Sequence, residues 1–83
     1  MQASVACTIC STITTTIAAE IKLSNITTHT AACIASVTCH LLAKTPTVTK
    51  TCDTIISSIN KIVTYVSNGL TPHQTCEKIK LCE

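Results

Sequence analysis

The sequence predicts an all-α domain, a bundle of amphipathic helices tied by disulfides. Three observations lead there: seven cysteines in 83 residues, apolar residues recurring every three or four positions, and few turn-forming residues, with one Gly and two Pro. A chain this short sits near the limit at which apolar burial alone holds a fold, so cysteines this dense are expected to be staples, formed in an oxidising compartment. Local propensity argues the other way, because Thr, Ile and Val make up 33 residues and all three favour strands. An all-β chain of this length needs several tight turns, and one Gly with two Pro cannot build them.

The first helix is read from residue 5 over about 18 residues. Val5, Ile9, Ile13, Ile17 and Ile21 recur every fourth position with Cys10 beside them, while Ser11, Thr12, Thr15 and Thr16 lie elsewhere. A second helix within 28–44 carries Ile34, Val37 and Leu41, with Ala31 and Leu42 on its flanks. The third has the clearest stripe, Cys52, Ile55, Ile56, Ile59, Ile62, Val63 and Val66, opposite Asp53, Ser57, Asn60, Lys61 and Thr64, and it ends at Gly69, a natural residue just past a helix. Thr71-Pro72-His73-Gln74 then supplies a hydroxyl cap, a proline at the first helical position and Gln three residues after the cap, so a short fourth helix starts there, bearing Cys76, Ile79 and Lys80. Residues 24–27 and 45–51 are the expected connectors; the second alternates Thr with Pro46, Val48 and Lys50 and is expected to be irregular. No repeat or boundary divides the chain, so 1–83 reads as one domain.

Composition excludes whole classes of function. With no Trp, Phe or Arg and a single Tyr, Tyr65, the chain lacks stacking platforms for bases and planar forks for phosphates, and nucleic acid is not an expected partner. The net charge of +2 is mild. A mean hydropathy of +0.44 arises without a long apolar run, so no transmembrane helix is expected and the apolar surface belongs to amphipathic elements. There is no cationic start, apolar stretch and small-residue cleavage site at the N-terminus, so a secreted form is expected to have lost its leader ahead of this point.

The cysteine numbers carry the topology. Pairing Cys7 with Cys82, Cys10 with Cys76 and Cys39 with Cys52 centres all three pairs between residues 43 and 46, as a helical hairpin doubled over near Pro46 requires. Six cysteines alone allow 15 pairings, and this nested one follows from the common fold-back point. Cys33 has no mirror cysteine and is left as a buried thiol or a link to a second chain. Zinc held by the Cys7/Cys10 and Cys76/Cys82 pairs with His40 or His73 is not expected, because the spacings match no usual zinc register. Cys–His catalysis fares no better, with no oxyanion loop or orienting carboxylate in view. The expectation is no metal, no cofactor and no enzyme.

Cys7-x2-Cys10, Cys39 and Cys52 about a dozen residues apart, and Cys76-x5-Cys82 preceded by Gly69-Leu70-Thr71-Pro72 together resemble the saposin-like proteins, over nearly the whole chain. The resemblance implies four to five helices in a leaf held by three disulfides, and action on lipids. The ending Cys76-Glu77-Lys78-Ile79-Lys80-Leu81-Cys82 looks most like the amoebapore type, which is pore-forming. Lys80 stands where such proteins can carry a histidine linked to acid activation, and Cys33 lies outside the six-cysteine pattern.

The function expected is therefore lysis of anionic bilayers, antimicrobial in purpose and favoured by acid. The alternative is a lipid-transfer or activator protein that presents single lipids to a hydrolase. Lys22, Lys44, Lys50, Lys61, Lys78 and Lys80 are the expected membrane contacts, and His29, His40 and His73 the expected pH switch, since histidine side chains as a class titrate near pH 6.5. Asn25-Ile26-Thr27 is a glycosylation sequon on a connector. A lysosome, phagosome, secretory granule or the exterior suits all of this. A second copy of the chain, joined through Cys33 or apolar helix faces, is the remaining expected partner.

Overall fold

Five helices follow one another in the computed structural model, which describes residues 5–23, 28–42 and 45–82: α1 (Val5–Leu23), α2 (Thr28–Leu41), α3 (Pro46–Ser57), α4 (Ile59–Ser67) and α5 (Pro72–Lys78). No strand occurs among the described residues. The connector at 24–27, with the sequon at Asn25, and Lys44 lie outside them.

The threonines that favour strands are accommodated by bonding to their own helix. The hydroxyls of Thr12, Thr15 and Thr16 donate to the carbonyls of Thr8, Ser11 and Thr12 at 2.9, 2.7 and 3.1 Å. Thr38, Thr54, Thr64 and Thr75 do the same four residues back. Each hydroxyl thus finds an acceptor without leaving the helix, and the strand preference of a β-branched residue is outweighed by the packing of the opposite face.

That packing is centred on α1, which lies against all four other helices. Ile13 and Ile17 of α1, Ile55 of α3 and Ile62 of α4 are completely enclosed, with Ile9 and Ile59 beside them. Thr14 and Thr75 are also fully buried. Thr14 Oγ1 lies 3.8 Å from Cys10 Sγ and 3.6 Å from Cys76 Sγ, so the hydroxyl fills the space beside that disulfide. The molecule is flattened, with extents of 32 × 27 × 18 Å.

Three expectations are corrected. Residues 45–51 are not an irregular connector: Thr45 is an N-cap whose hydroxyl accepts the Val48 N–H at 3.2 Å, and Pro46 opens α3. The expected third helix is two, broken at Ser58, where a Ser-Ser pair lets the chain bend around α1 and α2. And α2 is rotated from the expected face. Ala31 and Ala35 are buried, with Cys39 and Leu42 half-buried in line with them, while Val37 and Leu41 are 62% and 80% exposed. The bond from Cys39 to α3 fixes that rotation, because residues two positions from a buried one point to the far side of a helix. Val5 and Ile56, expected in core stripes, are exposed as well.

α4 and α5 end in the same way. Past α4, the Gly69 and Leu70 N–H groups donate to the carbonyls of Val66 and Tyr65 at 3.0 and 3.1 Å, with Gly69 at φ 92°. Past α5, the Lys80 and Leu81 N–H groups donate to those of Glu77 and Cys76 at 3.0 and 2.9 Å, with Lys80 at φ 65°. Both are Schellman ends, which need a left-handed residue, and the second takes that conformation without a glycine. It swings Cys82 back toward α1.

Candidate functional site

The disulfides divide the fold into two units. Cys7–Cys82 and Cys10–Cys76, with sequence separations of 75 and 66, join α5 and Cys82, four residues beyond its end, to α1. Cys39–Cys52, with a separation of 13, joins α2 to α3. No disulfide connects one unit to the other. Between them lies the apolar layer of Ile13, Ile17 and Ile55, all fully buried.

α5 is placed for its staples by the capping box read in the sequence. The Thr71 hydroxyl accepts the Gln74 N–H at 3.1 Å, and the Gln74 side chain accepts the Thr71 N–H at 3.0 Å. Thr75 and Cys76 then face the core.

The charged side chains expected to meet a membrane stay outside the layer. Lys22 on α1, Lys50 on α3, Lys61 on α4, Lys78 on α5 and Lys80 after it are all exposed. So are His29 and His40 on α2 and His73 on α5. The structure does not gather the three histidines into one cluster: His73 Nε2 sits 3.8 Å from a Glu77 oxygen on its own helix, an ion pair only when the imidazole is protonated, while His29 lies 3.9 Å from Cys33 Sγ.

Among the described residues, Cys7, His73 and Cys82 bring ligand atoms within 4.8 Å of one another. The two sulfurs are bonded to each other, so neither offers the thiolate a zinc ion requires while that disulfide is intact.

Sequence reasoning missed one surface. Ser36, Val37, His40 and Leu41 of α2 face Val48, Thr49, Asp53 and Ile56 of α3 across an open groove of about 430 Å³, with Cys39 and Cys52 in its wall. Val37, Leu41 and Ile56 supply three of the four large apolar side chains exposed among the described residues. The signal was present: Val37 and Leu41 sit two residues either side of Cys39, so a paired Cys39 turns both outward.

Residues 50–82 match the model of a family described as saposin-like type B, region 2. Over this stretch the chain is similar to saposin-like proteins. The match takes in Cys52, Cys76 and Cys82 and runs from α3 through α5, in an all-helical, triply stapled fold of the kind the cysteine spacing implied. It fits interaction with membranes or lipids, which saposin-like proteins generally carry out without catalysis. No curated protein and no solved structure matches the chain.

Proposed function

We propose that the protein is a lytic saposin-like domain of the amoebapore type, which binds anionic bilayers and opens within them. The observation that supports this most directly is the grouping of the staples: two hold α5 to α1, one holds α3 to α2, no disulfide joins the two units, and fully buried Ile13, Ile17 and Ile55 lie between them. Among the described residues no helix is long and apolar enough to cross a membrane, so entry takes place by parting the units and laying Ile13, Ile17, Ile55 and Ile62 against acyl chains. The self-bonded threonines of the outer faces lower the cost of leaving water, since their hydroxyls carry an acceptor with them.

Approach is electrostatic. The exposed lysines each contribute roughly 1 kcal/mol of attraction near an anionic leaflet. Acid that protonates the exposed His29, His40 and His73 adds up to three positive charges to the formal +2. The protein works as a binding and lytic agent in a lysosome, phagosome or granule, or outside the cell.

Dye release from vesicles tests this. Leakage from phosphatidylserine-containing vesicles is expected to rise between pH 7.5 and 5, to fall in high salt and to be weak on neutral vesicles. Exchange of labelled lipid between vesicles that stay sealed would replace lysis with lipid transfer.

A further inference from the structure

We infer that the outward face of α2 is the contact surface for a second copy of this chain, locked by a Cys33–Cys33 disulfide across a two-fold axis. This does not depend on the lipid reading. Cys33, Val37 and Leu41 follow one another at every fourth position on α2, all exposed, and Ile56 of α3 lines the same groove as Val37 and Leu41. Cys33 is the one cysteine outside the three disulfides, and it lies on the surface, which removes the buried-thiol reading.

Charge decides what covers this face. α2 contains no Lys, Asp or Glu, whereas α1, α3, α4 and α5 each carry exposed lysine. An anionic surface is drawn to those lysine-bearing faces. By contrast, two chains of formal net charge +2, counted with histidine neutral, meet with least repulsion where neither bears lysine, which is α2. A two-fold axis running along α2 sets each residue against its own counterpart, so that thiol meets thiol and Val37 and Leu41 meet apolar partners. A 14-residue helix offers a strip only about 21 Å by 10 Å, well short of the roughly 800 Å² per partner of a stable interface, so the covalent bond is what makes the pair last.

The bond forms by exchange with a small-molecule disulfide. The Cys33 sulfur, which lies 3.9 Å from His29 Nε2, attacks as its thiolate one sulfur of the reagent, and the displaced thiolate takes up the proton that the Cys33 thiol gave to solvent. The second chain's Cys33 thiolate then attacks the protein sulfur of this mixed disulfide and displaces the other half. Two protein thiols are oxidised to one disulfide, and one reagent disulfide is reduced to two thiols.

The full chain, with its three disulfides formed and Cys33 reduced, is incubated with oxidised glutathione and followed by intact mass. A covalent dimer is expected as the main product. Val37→Lys and Leu41→Lys, both at exposed positions and checked for unchanged circular dichroism, are expected to slow dimer formation about tenfold while glutathione adds to Cys33 at the wild-type rate. Cys33→Ser with Val37→Cys is expected to dimerise in turn, because the axis brings residue 37 against itself. Wild-type protein that stops at the glutathione adduct, or lysine variants that dimerise as fast as wild type, would overturn the interface. A silent Val37→Cys would overturn the axis along α2.

Discussion

The stem of the hairpin, where α1 meets α5, and its bend, where α2 meets α3, solve the same problem differently. At the stem two disulfides lie within one turn of each other on α1, and Thr14 and Thr75 are enclosed beside them. At the bend a single disulfide stands beside an open groove, with Val37, Leu41 and Ile56 in solvent. The stem is therefore redundantly closed and the bend is closed once. The contrast teaches that redundant covalent closure and exposed apolar surface fall in different parts of a small molecule, so that the exposed apolar side chains are not those that the paired staples enclose.

The largest expected effect breaks the stem. Once Cys7–Cys82 is formed, Cys10–Cys76 closes only a short further loop, so either alone contributes roughly 2 to 3 kcal/mol beyond its partner, and the two together about 7. That is comparable with the whole stability of a small domain. Replacing Cys7, Cys10, Cys76 and Cys82 by Ala is expected to leave the chain unfolded at 25 °C by circular dichroism, whereas Cys39→Ala with Cys52→Ala is expected to fold with stability lowered by about 3 kcal/mol. A cooperative melt from the four-alanine variant would show that the stem does not depend on its staples.

A smaller effect separates the core from the exposed apolar face of α2. Ile17→Ala removes a fully enclosed side chain facing the layer between the units and is expected to cost about 2 to 5 kcal/mol in urea unfolding. Leu41→Ala, at a position 80% exposed, is expected to change stability by no more than about 0.5 kcal/mol. Equal losses at the two sites would erase the distinction between the ends.

The smallest effect lies within the stem. Lys80 holds at φ 65° the left-handed conformation that Gly69 holds at φ 92° without steric cost. Lys80→Gly is expected to raise the melting midpoint, by about 1 kcal/mol in stability, and Gly69→Ala to lower it by a similar amount, since no neighbouring atom would obstruct the added methyl and only the backbone conformation is at stake.

Much of this was legible in the residues. The capping box at Thr71 to Gln74 and the glycine past α4 marked their helix ends, because both rest on local chemistry that needs no tertiary partner. The start of α3 carried the same cap-then-proline signal at Thr45-Pro46, obscured by the alternating threonines that follow and by Val48 where a capping box has Gln or Glu. The groove was not read, because spacing every three or four residues shows that a helix has an apolar face but not which way it turns. On α2 two such faces compete, Ala31, Ala35 and Cys39 against Cys33, Val37 and Leu41.

By itself the sequence determined the helical class, the caps and the common centre of the three nested cysteine pairs, which the structure joins in the same order. Tertiary structure decided the rotation of α2, the break at Ser58 and the exposure of Cys33. The reason is physical. Caps and periodicity are set by residues within a turn or two, while the rotation of a helix is set by what it is bonded to and packed against. For α2 the bond to Cys52 prevailed over the larger side chains: it turned two alanines inward and left a valine and a leucine outside.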